Sequence, residues 1–184
     1  MRRALTLHPD SRCIAATSVE VEIMLPRSGD LVLQYQVAGK ISDLRMPSVT
    51  ASTRADELWR HTCFEAFVSA SSEPSYLEFN FAPSTQWAAY RFSGYRAGMN
   101  VANEIATPRL AVQSAGDRYS LQAALALKEL SSLPAGDPWR LALSAVIVEA
   151  NGRKSYWALA HPPGEADFHH SDGFVHELRV TGDS

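Results

Sequence analysis

The segment from Leu58 to Arg96 contains three short runs in which residues alternate between two chemically different faces. Alternation with a period of two residues is typical of β-strands, and it predicts strands over 62–68, 76–81 and 87–92. One predicted face is aliphatic and aromatic. The other carries Glu65, Glu78, Asn80 and Arg91 beside Tyr76 and Trp87. Such a sheet has one side for a core and one side where acids, an amide and a guanidinium lie among aromatic rings.

The same alternation continues along most of the chain, whereas helical periodicity is scarce. Further strands are predicted over 19–25, 31–37, 108–113, 119–127, 140–150, 155–161 and 174–180, with a turn at 28–30 and a short helical turn over 128–133. About ten strands with little helix indicate an all-β fold, either an antiparallel β-sandwich or a barrel. Parallel βαβ architecture is disfavoured because its crossover helices are missing.

Composition narrows the class of protein. The 184 residues suit one domain, and a hydrophobic content of 46% supports a full core without a disulfide or a metal. A net charge of −3 without a basic stripe argues against nucleic-acid and anionic-membrane partners. No apolar run resembles a signal peptide or reaches the length of a membrane span, so a cytoplasmic location with reduced Cys13 and Cys63 is expected.

The two acids on the predicted polar face allow several chemistries. Glu65 and Glu78 lie on strands joined by a short loop, so both carboxyl groups are expected to project from one face. Such a pair can hydrogen-bond sugar hydroxyls, bind a cation or act as a glycosidase acid/base pair. Alternatively, Arg91 neutralises both acids in a structural cross-strand lattice. The residues alone leave these alternatives open.

Aromatic and histidine residues supply the other candidates. Trp87 is predicted to stack on a ligand because it shares a face with Arg91, and Trp157 is a second platform. His161 and His169 lie near Asp167 in one polar loop, where their spacing matches no strong zinc signature, so hydrogen-bonded histidines are favoured over a metal. Non-covalent haem with a histidine axial ligand is a further alternative. No catalytic motif such as GxSxG or a P-loop occurs.

Three blocks of the chain resemble a known family. LWRHTCFEAF, YLEFNFAPSTQWAAYRFSGYRAGM and SYWALAHPPGEADFHHSDGF are similar to bacterial DOMON-like domain proteins, which resemble family-nine carbohydrate-binding modules in turn. The resemblance spans roughly 17–180, and its signature positions include Trp59, Arg96, Asp167 and Phe168. It implies an immunoglobulin-like or jelly-roll-like β-sandwich of about ten strands over residues 1–184.

The resemblance also implies non-catalytic ligand binding, with sugars or haem as the ligand classes. A small carbohydrate-like ligand is the leading hypothesis; haem, with Met99 and a histidine as axial ligands, and a hydrolase using the two glutamates are the alternatives. The residues expected to contact the ligand are Glu65, Glu78, Asn80, Trp87, Arg91, Trp157, His161 and His169. The sequence indicates no oligomeric state.

Overall fold

Antiparallel β-strands make up almost all of the secondary structure. The computed structural model describes residues 1–26, 30–126, 130 and 138–178. Its strands are β1 (Arg2–Leu7), β2 (Ala16–Met24), β3 (Asp30–Gly39), β4 (Cys63–Ala70), β5 (Tyr76–Phe81), β6 (Trp87–Phe92), β7 (Asn100–Val101), β8 (Arg109–Ala115), β9 (Arg118–Ala126), β10 (Trp139–Val148), β11 (Lys154–Ala158) and β12 (His176–Leu178). Single turns of 3-10 helix occur at Ile41–Asp43, Leu58–Arg60 and Ser171–Gly173.

The predicted all-β, antiparallel fold with little helix is therefore confirmed. None of the helices in the described ranges is long and apolar enough to cross a membrane. Positions 28 and 29 of the turn predicted at 28–30 lie outside the described residues, as does most of the helical turn predicted over 128–133. The last predicted strand, 174–180, begins two residues later in the structure, which describes it over His176–Leu178, and positions 179 and 180 lie outside the described residues.

The strands form one continuous, strongly curled sheet in the order β7-β6-β5-β4-β10-β11-β1-β2-β3-β9-β8, with β12 beside β10. Strand β1 connects two halves of this sheet. Its residues Arg2–Leu5 pair with β2, whereas Thr6 and Leu7 pair with β11. We call β7, β6, β5, β4, β10 and β11 the β4 half of the sheet. We call β2, β3, β9 and β8 the β3 half.

The main core lies between these two halves. The period-two pattern points Phe64, Ala66 and Val68 of β4 into this core, as predicted. Phe64 lies 5.1 Å from the Tyr35 ring of the β3 half, measured between ring centroids. The Tyr35 hydroxyl also donates a 2.7 Å hydrogen bond to the backbone carbonyl of Glu65. The backbone that carries Glu65 is therefore fixed from behind by the opposite half.

A second apolar cluster covers the outer face of the β4 half. It contains Cys63, Phe67, Tyr76, Ala88, Tyr90 and Phe92 from β4, β5 and β6, together with Leu58, Ala82, Ala142 and Phe174. Every residue of β5 is consequently buried, on both faces of the strand. The two glutamates project into this outer face, so they lie at the edge of a core rather than on a solvated surface.

Candidate functional site

A cleft of about 450 Å³ opens on the outer face of the β4 half. We call it the acid cleft because Glu65 and Glu78 form part of its lining. The remaining lining residues come from β6, β10, β11 and the loops around them: Trp59, Arg60, Phe92, Arg96, Met99, Val146, Lys154, Tyr156, Ala166, Phe168 and His169. This volume lies within the range that small-ligand sites commonly occupy.

The register of β4 and β5 brings the two glutamates together. Glu65 is opposite Asn80 and Phe67 is opposite Glu78, so the acids are diagonal neighbours on one face, as predicted. Asn80 is fully buried and donates a 2.6 Å hydrogen bond from Nδ2 to Glu78 Oε1. In contrast, Glu65 Oε1 is buried and forms no hydrogen bond of standard geometry with the described residues, although the Ser144 hydroxyl lies on the residue opposite it in β10. An unpaired buried carboxyl oxygen is costly, so its presence in the lining of a cleft marks a position for a ligand donor.

Burial controls the protonation of both acids. Desolvation raises the pKa of Glu65 well above its usual value and the neighbouring charge of Glu78 raises it further, against a smaller lowering effect of the Ser144 hydroxyl. Burial also raises the pKa of Glu78 to about 7, against the lowering effects of the Asn80 hydrogen bond and the Arg96 charge. Burial therefore favours the protonated forms of these carboxyl groups, which can donate as well as accept hydrogen bonds.

The Tyr76 hydroxyl orients the His169 ring at the wall of the cleft. The Tyr76 hydroxyl accepts a 3.2 Å bond from the Arg96 backbone N–H and lies 2.8 Å from His169 Nδ1, so we assign the tyrosine proton to the bond with Nδ1. The neutral histidine then carries its own proton on Nε2, which lies 3.8 Å from Glu78 Oε2. Burial and the Arg96 charge lower the pKa of His169 to about 4. The His169–Glu78 contact is thus not an ion pair at neutral pH.

Three half-buried aromatic side chains line the cleft around the acids. Trp59 lies in the 3-10 turn before β4, and its ring packs edge-on against Tyr90 with 5.8 Å between centroids. Tyr156 of β11 and Phe168 of the following loop pack against each other at 6.1 Å. Because each ring is held by another aromatic, the cleft presents pre-positioned apolar faces next to hydrogen-bonding groups.

The predicted face of β6 is wrong for Trp87 and Arg91. Strand pairing sets Tyr90 opposite Glu78 and Trp87 opposite Phe81. The face shared with the acids therefore carries Tyr90, whereas Trp87 is buried in the main core. Arg91 shares the Trp87 face and pairs with Glu104. Arg91 consequently does not bridge the two acids, and the predicted Glu–Arg lattice is not formed.

Trp157 and His161 also lie away from the acid cleft. Trp157 is buried in the main core, where its Nε1 donates a 3.0 Å bond to Ser155 Oγ, while its neighbour Tyr156 faces the cleft. Because Tyr156 and Trp157 are successive residues of one strand, the pleat directs one into the core and the other away from it. His161 Nε2 lies 2.8 Å from the Thr6 carbonyl oxygen, and its ring contacts that of His8.

The histidines do not suit axial ligation of haem. Met99 and His169 both line the acid cleft, but His169 Nδ1 accepts from Tyr76 and its Nε2 carries the proton. In this assigned tautomer neither nitrogen offers a lone pair to iron. His161 donates through Nε2 to a backbone carbonyl outside the cleft. Within the described ranges, no group of three or more His, Cys, Asp and Glu side chains is arranged to hold a metal ion.

The cleft also contains residues outside the set expected to contact the ligand. Trp59, Arg96 and Phe168 belong to the signature of the resembled family, and all three line the cleft. For Tyr156, the only signal in the sequence is its position next to Trp157 in a predicted strand, where successive side chains point to opposite faces. Arg96 donates a 2.7 Å bond to Asp167, which fixes the guanidinium at the cleft wall.

Comparison with known proteins identifies similar folds. No protein-family model matches the sequence, and no curated protein matches it. A Bacteroides uniformis ATCC 8492 protein, described as carbohydrate-binding, has a TM-score of 0.67 at 13% identity, covering 95% of this chain and 84% of that chain. A family 9 carbohydrate-binding module from Caldicellulosiruptor kristjanssonii has a TM-score of 0.52 at 12% identity, both in complex with glucose and in complex with cellotriose. The matches cover 98% of this chain and 86% and 83% of those chains. At these identities the similarity establishes the fold alone.

Proposed function

We propose that this protein binds a small carbohydrate in the acid cleft without chemically changing it. The observation that carries the proposal is the buried, unpartnered Glu65 Oε1 in the lining of a cleft that also presents half-exposed aromatic rings. Sugars combine apolar C–H faces with hydroxyl groups, so they require both kinds of surface at once. Structures with similar folds include modules in complex with glucose and cellotriose, which supports the same ligand class here.

We further propose that the two halves of the sheet act as the layers of a β-sandwich of the DOMON-like type. The ring contacts of Phe64 across the main core support this description. Within it, the acid cleft lies on the outer surface of one layer, where a ligand can enter without opening the core.

The protonation of the acids favours binding over hydrolysis. Glycosidases generally need one carboxyl group held protonated and a second kept ionised. Burial raises the pKa values of both Glu65 and Glu78, so neither acid has the ordinary or lowered pKa of a carboxylate that its surroundings keep ionised. We therefore expect no release of glucose when the protein is incubated with cellotriose, as followed by chromatography of the sugars.

Isothermal titration calorimetry against mono-, di- and trisaccharides, including glucose and cellotriose, tests the proposal. We expect saturable binding of at least one sugar, with competition between sugars that occupy the same cleft. A complete lack of heat and of NMR shift changes across the panel would rule the proposal out.

Two arginines provide a matched test of the location. Arg96 lines the acid cleft and pairs with Asp167, whereas Arg91 pairs with Glu104 on the opposite face of β6. We expect Arg96→Gln to weaken sugar binding roughly 10- to 100-fold, as is typical of losing a hydrogen bond from a charged donor. Arg91→Gln removes a similar exposed ion pair and should leave the affinity unchanged. Equal losses of affinity in both variants would place the binding site elsewhere.

A further inference from the structure

A second cavity of about 380 Å³ lies next to the acid cleft on the same side of the β4 half. Its lining comes from the end of β4 and the loop after it, the start of β5, the loop after β6, the start of β10 and the loop before β12: Ser69, Ala70, Ser71, Glu73, Pro74, Tyr76, Tyr95, Arg140, His169, His170, Ser171 and Phe174. His169 is also part of the acid-cleft lining, so one imidazole forms the boundary between the two spaces.

The successive residues Tyr95 and Arg96 line different cavities. Arg96 lines the acid cleft and Tyr95 lines the second cavity. Both side chains donate to the same carboxylate, that of Asp167, which also accepts from the His169 backbone N–H at 3.0 Å. This shared anchor fixes the boundary, so the two cavities have a set position relative to each other.

The β4 strand underlies both cavities. Its outward residues are Glu65 at the acid cleft, Phe67 beneath the boundary and Ser69 at the second cavity. Phe67 packs against His169 with 5.1 Å between ring centroids. Since a strand rises roughly 3.3 Å per residue, Glu65 and Ser69 are about 13 Å apart along the backbone. A single sugar ring is shorter than this distance and cannot reach both ends.

The second cavity combines an exposed aromatic ring with neutral and charged hydrogen-bonding groups. Tyr95 is 58% exposed, yet its hydroxyl is held by Asp167 and its ring lies 6.1 Å from that of His170. Arg140 is held at the cavity by a 3.0 Å bond from Nε to the Phe174 carbonyl. A fixed aromatic ring with hydrogen-bonding neighbours suits a sugar here as it does in the acid cleft.

We propose that the second cavity is a subsite for a further sugar unit of an oligosaccharide whose other end occupies the acid cleft. This inference rests on the proposed function of the acid cleft. It assigns the protein a preference for linear oligosaccharides over the corresponding monosaccharide, with Tyr95 as the stacking surface of the distal unit.

Calorimetric titration with glucose and cellotriose tests the subsite. We expect wild-type protein to bind cellotriose more tightly than glucose. Compared with Tyr95→Phe, which loses the same bond to Asp167, Tyr95→Ala should bind cellotriose roughly 3- to 10-fold more weakly, the amount expected from losing one aromatic contact, and bind glucose equally well. Tyr95→Phe keeps the ring but loses the bond to Asp167, so it separates stacking from support of the boundary and should retain the cellotriose preference.

Glu73→Ala is a second variant that avoids the strands, because Glu73 is an exposed residue of the loop after β4. It should weaken cellotriose binding without affecting glucose. Equal affinities of the wild type for glucose and cellotriose would overturn the subsite while leaving the acid cleft as a sugar site. Equal weakening of both sugars by Tyr95→Ala would overturn it too, since Tyr95 would then act through Asp167. Failure of either sugar to bind would overturn both the subsite and its premise.

Discussion

Replacing Phe64 with alanine is expected to lower the free energy of unfolding by about 3–5 kcal/mol, the usual cost of removing a buried phenylalanine ring. The Phe64 side chain is completely buried between the two halves of the sheet. Its ring lies 5.1 Å from that of Tyr35 and is stacked at 6.2 Å on that of Tyr119. The neighbours belong to different strands of the β3 half, so the cavity left by the substitution cannot be closed by one side-chain movement. Chemical denaturation followed by circular dichroism measures the loss.

Phe168→Ala is the matched control for this substitution. Phe168 is half-buried in the acid-cleft wall, and its ring contacts Tyr156 rather than the main core. We expect its removal to cost no more than about 1 kcal/mol, because a half-exposed ring loses less burial. If Phe64→Ala were no more destabilising than Phe168→Ala, the contact between the two halves would not be a principal source of stability.

The Phe64 position also shows how the core supports the candidate site. Phe64 and Glu65 are successive residues, so the strand pleat directs one into the core and the other into the cleft. The Tyr35 hydroxyl fixes the backbone at this point through its hydrogen bond to the Glu65 carbonyl oxygen. Loosening the contact between the halves should therefore reduce sugar affinity together with stability, although Phe64 does not line the cleft.

Sequence alternation predicts the β4 and β5 faces correctly because their inner residues are uniformly apolar. Only one orientation of each strand buries these inner residues, which are Phe64, Ala66 and Val68 on β4 and the inward phenylalanines of β5. The acids are the exceptions on the other face, which identifies them as unusual. This is why Glu65, Glu78 and Asn80 were found as candidates without knowledge of the register.

Alternation fails on β6 because both faces of that strand are buried. Trp87 and Ala89 enter the main core, while Ala88, Tyr90 and Phe92 enter the outer cluster. The hydrophobic pattern then does not show which face of β6 lies on the same side of the sheet as Glu65 and Glu78. The charged Arg91 favours the face that it shares with Trp87, and this is the wrong one. The orientation depends instead on the pairing of Phe81 with Trp87, which the sequence does not reveal.

The rest of the cleft was difficult to predict because its residues converge from distant parts of the chain. Trp59 precedes β4, Tyr156 lies on β11 and His169 follows in a loop. Such convergence depends on β4, β10 and β11 being neighbours in the sheet, although β10 follows β4 by almost 70 residues in the sequence. Family resemblance supplied Trp59, Arg96 and Phe168, but not the face on which each would lie.

The stability of the protein is expected to fall as the pH rises from about 4.5 to 8, relative to that of a Glu78→Gln variant. Burial raises the pKa of Glu78 from 4.5 to about 7. The folded state therefore holds this proton more tightly than the unfolded chain does. Its contribution is complete below pH 4.5 and is lost as the pH rises through 7. The free energy of unfolding should change by at most about 3 kcal/mol over this pH range, since each pKa unit corresponds to about 1.4 kcal/mol.

The comparison with Glu78→Gln isolates this effect from His169, which acts in the opposite direction. The lowered pKa of His169, about 4, makes the folded state lose stability as the pH falls from about 6.5 towards 4. Both proteins retain His169, so its contribution largely cancels in the difference. Glutamine also preserves the oxygen that accepts from Asn80 Nδ2, which keeps the local packing. Denaturant titrations at pH 4.5, 6 and 8 give the required free energies.

Glu104→Gln is the control with the opposite expected sign. Burial alone would raise the pKa of Glu104, but a backbone hydrogen bond and Arg91 outweigh it and lower the pKa. Its contribution is therefore present above the usual glutamate pKa and is lost as the pH falls, and solvent screening keeps it small because this side chain is 44% exposed. A wild-type protein that kept a constant stability difference from Glu78→Gln between pH 4.5 and 8 would show that Glu78 ionises in the folded state as freely as in water. The acid cleft would then present a negative charge at neutral pH rather than a proton that a sugar hydroxyl can accept.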